Sequence, residues 1–519
     1  MILRSLLVIT LIFAGTAHGQ AFDPANVDWD KLSKIPMTDG FIRQYNTNCA
    51  ACHGEDLRGM TLGPPLVGVD LKYGDSAEEI AAVIRNGVPG TEMPAWKDTL
   101  RPDKIWNMAL YVAEQRQGTT ILDKNDKIEI ALPAGPVETE RHDFVVTKIA
   151  EGLDAMPFGI APLPDGRILL TERMRGLRIV NTDGSLSDYI KDTPPAYDDS
   201  GSFLGQVQGL GWMLDVELHP DYAENGWIYL HHTDRCSGCN DLSRRADGPV
   251  SMNRIVRGRI KDGRWADQQI IWQADVESYT NTSDLAAGGR LAFDDENFVY
   301  FTTGIKDSLD IFGIQDKSLP HGKVHRVHDD GRIPADNPFV DVEGALPSIY
   351  TLGHRSVQGL TFNAANGELW ETEMGPRGGD ELNRLRKGAN YGWPVFTNGV
   401  NYTGMPIKIR PSMGIALDEA DATFPVVDWT PAVAISNLLF YSGDEFPQWR
   451  GNIIAGTLRA TDLLRMEVTD GEVTHTEVLL ENLARFRDVA HGPGGELYLL
   501  LENKAGSMIV RIAPATTGT

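Results

Sequence analysis

A chain of 519 residues exceeds a single small domain and accommodates two or three, and its 42% hydrophobic and 23% charged residues exclude wholesale disorder. A net charge of −24 repels phosphate backbones and anionic bilayers, which excludes nucleic acid as a partner. Four cysteines are too few for a disulfide-built scaffold.

Arg4 precedes the apolar run Leu6–Ala14, and Ala17-His18-Gly19 ends it on small residues. This is the pattern of a secretory signal over 1–19. The run is short of the ~20 apolar residues a membrane span needs, and no later segment approaches that length. The expectation is a periplasmic or secreted protein without stable membrane insertion.

Residues 38–116 carry helical signals around Cys49-Ala50-Ala51-Cys52-His53. In C-x-x-C-H, two thiols bond the porphyrin vinyl groups and the adjacent imidazole reaches the iron. Gly63-Pro64-Pro65-Leu66 follows, then Glu92-Met93-Pro94-Ala95-Trp96, then an amphipathic helix through Ile105, Leu110 and Tyr111. The segment resembles a class I cytochrome c. The resemblance implies covalent haem c on Cys49 and Cys52, with His53 as proximal and Met93 as distal iron ligand. A thioether ligand raises the reduction potential, as suits an electron acceptor. Met60, close to the attachment motif, and Met108, on the apolar face of the last helix, are the competing thioethers.

Residues 117–141 show no period and read as a linker. From 142 to 515, a turn followed by an apolar or alternating run recurs six times, at 165–170, 225–230, 296–301, 366–370, 450–454 and 494–499. Such spacing suits one four-stranded blade plus insertions. The expected architecture is therefore an all-β six-bladed propeller preceded by a small all-α cytochrome c domain, with a pair of β-sandwiches as the rival. Within this region Cys236-Ser237-Gly238-Cys239 reads as a local disulfide, as an oxidising compartment favours, with a redox-active pair or a metal site as the alternatives, neither supported by an adjacent histidine or third thiol.

Longer motifs stand at Leu214–Pro220, Asp330–Phe339, Gly353–Leu360, Glu373–Glu381, Lys387–Pro394 and Arg485–Asp488. In that order they resemble the soluble glucose/sorbosone dehydrogenase family, six-bladed propellers that use pyrroloquinoline quinone (PQQ) and calcium. PQQ carries three carboxylates, which bidentate arginine forks suit. The resemblance implies Arg485, Arg487 and Arg459 around the quinone, Arg459 standing where relatives have lysine. It implies Arg355 facing the reactive carbonyl and Gln208, or else Gln206, as the pocket glutamine. The backbone carbonyls of Gly375 and Pro376 would hold the cofactor's calcium. Glu381 and the main chain of Tyr391 would hold a second, structural calcium, with Asp380 either assisting or a plain turn acid.

Two positions depart from the family. Its general base is a histidine four residues before the arginine of a Gly-Gly-Arg-Leu segment; here that position is Ala286, before Arg290. Ser356 replaces the asparagine beside Arg355. Asp284 is the nearby acid expected to substitute as catalytic base, the alternative being an ordinary loop acid, and His354 is expected to be scaffold. The implied function is a PQQ-dependent dehydrogenase of a sugar or other alcohol or aldehyde, passing electrons to its own haem and on to a soluble or membrane acceptor. A haem-containing propeller reductase and a non-catalytic binder that has lost its base are the alternatives.

Overall fold

The computed structural model describes residues 39–118, 130–203, 206–306, 313–402, 407 and 415–515. The signal segment expected at 1–19 and residues 119–129 of the expected linker lie outside them. No helix among the described residues is long and apolar enough to cross a membrane.

Among the described residues four helices come first: α1 (Asp39–Asn48), α2 (Ala50–His53), α3 (Ala77–Asn86) and α4 (Pro102–Arg116). A capping box starts α3: Glu79 N–H donates to Ser76 Oγ, and Ser76 N–H donates back to the Glu79 carboxylate. Pro102 opens α4, where its missing N–H costs nothing. Phe41 and Tyr45 of α1, Ile80 and Ile84 of α3, and Ile105, Met108 and Val112 of α4 form one apolar core.

The remainder is a six-bladed propeller. The strands Pro157–Pro162, Met213–Leu218, Gly288–Phe293, Val357–Asn363, Ile435–Phe440 and Arg485–His491 pack consecutively in a closed ring around the axis. Each of the six repeats seen in the sequence is the turn and second strand of one blade, from Ile168–Glu172 to Leu497–Glu502. Five sheets have four strands and the first has three. In the last blade the outermost strand comes from the other end of the chain: Phe144–Leu153 pairs antiparallel with Ser507–Pro514.

Charge, not oil, fills the axis. Arg290 donates to Asp215 Oδ1 and Asp488 Oδ1, each at 3.1 Å, to Gln358 O at 2.7 Å and to Arg487 O at 2.9 Å, and its guanidinium lies 4.5 Å from the Phe158 ring centre. Asn437 also donates to Asp488. Five inner strands therefore meet at one arginine, and the sixth joins them through Asp488. Gly289 precedes it at φ +111°, and an added Cβ would stand 2.5 Å from Leu214 Cδ1.

The helical and propeller parts touch through buried groups. Glu114 of α4 accepts from Arg377 Nε at 2.8 Å and from Arg459 Nη2 at 3.2 Å, and pairs a second time with Arg377 Nη2. Arg377 also lies over the Phe41 ring, 3.5 Å from its centre, and Val400 packs into the helical core.

Candidate haem and quinone sites

In the helical part, His53 Nδ1 bonds Pro64 O at 2.8 Å, which fixes the ring and leaves Nε2 as the ligand atom. Cys49 and Cys52 are both half-buried and form no disulfide with each other. Gly63 approaches Cys52 so closely that a Cβ would lie 2.8 Å from Cys52 O. These features fit a covalently attached haem. Of the three thioethers, Met60 is 60% exposed and Met108 is a core residue whose Sδ lies 3.7 Å from Cys49 Sγ. Met93 is half-buried against the helical core, and its carbonyl accepts from Val88 N at 3.1 Å. It is the thioether whose placement suits a distal ligand.

The propeller gathers a cationic basin. Arg485 Nε and Arg487 Nε donate to the two oxygens of Glu502, at 2.8 and 2.7 Å. Burial raises the Glu502 carboxyl, but Arg487, Arg485 and Arg173 outweigh it and hold it at about 2. Arg173 is the residue that sequence reasoning missed. It is buried over Phe158 and Trp212, 5.0 and 5.5 Å from the ring centres, and its Nε has no hydrogen-bond partner among the described residues. Burial, with Arg487 nearby, pushes its guanidinium well below the usual arginine range. Three buried or half-buried arginines thus share one carboxylate, and a polycarboxylate cofactor fits that surplus. The signal for Glu502 was in the sequence: Glu172, Glu373 and Glu502 each end the apolar second strand of a blade.

Arg459 does not join this basin through Glu502; it turns to Glu114. It stays adjacent, because Arg485 Nη1 donates to the neighbouring carbonyl of Leu458 at 3.1 Å. Arg355 is positioned by its backbone N–H, which donates to Glu373, and by Nη1, which donates to Met374 O at 2.7 Å. Gln208 is buried on the short hairpin Gly201–Phe203/Gln206–Gln208; the side chain of Gln206 lies outside the described residues.

At Gly375 carbonyl oxygens converge: a Cβ there would stand 2.1 Å from Gly378 O and 2.5 Å from Gly379 O. Asp380 braces the turn, accepting from Gly375 N at 2.9 Å and Ile435 N at 3.1 Å, and is no surface turn acid. Next to it Glu371, Glu373 and Glu381 lie buried around His354 and Asn383, and Tyr391 stacks on the His354 ring at 4.8 Å. Burial pulls the His354 imidazole down, but the hydrogen bonds its ring donates to Glu371 and Glu373 raise it to about 9. Burial and Glu373 together push Glu381 well above the usual carboxylate range. Three carboxylates against one imidazolium leave negative charge unmatched, and a hard cation on oxygen donors fits that deficit.

Asp284 does not fit the role of replacement base. Its carboxylate accepts from Gly211 N at 2.6 Å, Thr233 Oγ1 at 2.5 Å and Ser251 Oγ at 2.8 Å, and it pairs with fully buried Lys306 at 2.5 Å. A base must turn a lone pair to the substrate, and this one spends its lone pairs on a structural knot. Ala286, two residues on, is half-buried and offers no titratable group. The expected disulfide is present, Cys236–Cys239, packed against Met252 and Tyr279.

A family model described as Glucose / Sorbosone dehydrogenase matches residues 154–511, and one described as Cytochrome C oxidase, cbb3-type, subunit III matches residues 41–112. Aldose sugar dehydrogenase YliI of Escherichia coli is 32% identical over 362 residues, covering 69% of this chain and 90% of that one. Quinoprotein glucose dehydrogenase B of Acinetobacter calcoaceticus is 24% identical, covering 66% and 82%. The crystal structure of the soluble Escherichia coli aldose sugar dehydrogenase in its apo-form is similar with a TM-score of 0.61 at 31% identity, covering 72% of this chain and 99% of that one. With the ring of blades, the arginine basin and the C-x-x-C-H helix in place, these matches show that the chain belongs to the glucose/sorbosone dehydrogenase family and carries an N-terminal cytochrome c domain.

Proposed function

We propose that this protein is an exported quinoprotein dehydrogenase that oxidises a sugar, or another alcohol or aldehyde, and delivers the electrons to its own c-type haem. The observation that carries this reading is the pairing of Arg485 and Arg487 with one carboxylate, Glu502, beside the buried guanidinium of Arg173. When bound, PQQ supplies a two-electron acceptor, calcium a Lewis acid and the haem a one-electron acceptor. The three arginines bind carboxylates, and Arg355, braced by Glu373 and Met374, orients the reacting end of the pocket. Gly375 and Pro376 offer carbonyl oxygens to one calcium, and Glu381 with Tyr391 to a second. His53 and Met93 would hold the iron.

Reconstitution with PQQ and calcium, with haem absorbance followed across sugars, alcohols and aldehydes, tests the reading directly. At least one substrate class is expected to reduce the haem. A non-catalytic binder, the reading that Ala286 favours, would retain PQQ and leave the haem oxidised with every substrate. Chelation of calcium is expected to release PQQ and lower the Tm, because a bound ion stabilises only the folded state. Unchanged melting and PQQ retention, with calcium removal verified by metal analysis, would argue against a calcium-held cofactor. Met93→Ala is expected to abolish the methionine–iron charge-transfer band; a surviving band would move the ligand to another thioether.

A further inference from the structure

We infer that Glu114 is a positioning residue that clamps the haem domain onto the quinone face of the propeller, fixing the geometry for electron transfer between them. The inference rests on the proposed internal haem acceptor for its purpose, though not for its geometry.

Glu114 is 1% exposed and meets two guanidinium groups from the other half of the chain. Exposed ion pairs contribute little, whereas removing one partner of a buried pair strands a desolvated charge. The contact is reinforced by Arg377 lying over Phe41 of α1 and by Val400 in the helical core. Both arginines belong to the cofactor's surroundings. Arg377 directly follows Gly375-Pro376, where carbonyl oxygens converge. Arg459 follows Leu458, whose carbonyl holds Arg485 of the basin.

On the haem side, Glu114 belongs to the same helix as Met108, whose Sδ lies 3.7 Å from Cys49 Sγ. Six residues of α-helix rise about 9 Å. One helix thus runs from the haem-attachment cysteine to a clamp beside the quinone pocket. A tether alone would raise only the effective concentration of the haem domain; the clamp selects one orientation.

The test uses the full-length, PQQ- and calcium-loaded protein with Glu114→Gln, Glu114→Arg and, from the opposite side, Arg377→Gln. An intact haem spectrum verifies folding of the helical domain; should Glu114→Arg fail it, the two glutamine variants decide. Small-angle X-ray scattering without substrate is expected to show an expanded particle for Glu114→Arg and Arg377→Gln. Substrate-driven haem reduction is expected to slow at least tenfold in the Glu114 variants, while their kcat and KM with a small artificial dye acceptor stay at parental values. A merely structural role would move the dye kinetics too. Scattering and haem reduction unchanged from the parent in all folded variants would overturn the clamp. A parent that reduces dye but never its haem would instead overturn the proposed acceptor, and scattering alone would then judge the clamp.

Discussion

Glu502→Gln is expected to destabilise the cofactor-free protein by about 3 kcal/mol at neutral pH, and added PQQ is expected to restore part of the loss. The side chain is the shared partner of Arg485 and Arg487 and a counter-charge to buried Arg173. Neutralising it leaves buried guanidinium groups facing one another, and unpartnered buried charges cost roughly 3–5 kcal/mol. The pH dependence agrees in sign. A carboxyl held at about 2 lies below its unfolded value, so its stabilisation is complete above about pH 4.5 and fades as pH falls toward 2. That depression corresponds to about 3 kcal/mol. In Glu502→Gln this acid-side loss should disappear, because the stabilisation is already absent at neutral pH. Denaturation with and without PQQ checks both parts. A cofactor-free variant as stable as the parent would mean that the arginines are matched elsewhere.

Ala286→His is expected to raise kcat/KM for aldoses by about 10², toward the low end of what a positioned general base contributes. The new imidazole should also bring a titration near pH ~6.5 into the rate profile. The measurement is dye-linked oxidation across pH, with cofactor content checked. A correctly loaded variant no faster than the parent would place the proton acceptor elsewhere in the pocket. Asp284→Asn should behave differently. Lys306 would lose a charged partner inside the protein, so lower folded yield and a lower Tm are expected before any selective effect on turnover.

The ring was legible because each blade announces its second strand with a polar turn before an apolar run, a pattern that survives divergence. Its closing strand was not, since Phe144–Leu153 has no such turn and an alternation too weak to name a partner at the other end of the chain. The haem attachment was legible because its chemistry fixes the spacing of Cys49, Cys52 and His53. The arginine basin was only half legible. Arg485 and Arg487 sit in a recognisable motif, whereas Arg173 looks like any strand-end arginine until folding brings it beside Glu502. Asp284 shows the converse failure: proximity in sequence to Ala286 said nothing about Thr233 and Ser251 of the second blade or Lys306 of the third, which turn its carboxylate inward.

The pairing of Phe144–Leu153 with Ser507–Pro514 has a consequence for how the chain can fold. Drawing the two ends of a loop several hundred residues long together costs about 5 kcal/mol of loop-closure entropy, and the outermost pairing of the last blade returns nothing until both ends are present. During synthesis the first five blades can pack, but the sixth waits for the final strand. A circular permutant of the propeller alone, residues 142–515 with those ends joined by a short turn and new ends inside an exposed turn of another blade, would make that strand pair local. It should therefore refold faster than the natural order at similar stability. Truncation just before Ser507 would do the reverse, stripping the strand that leads back to the haem domain of its only neighbour in the sheet.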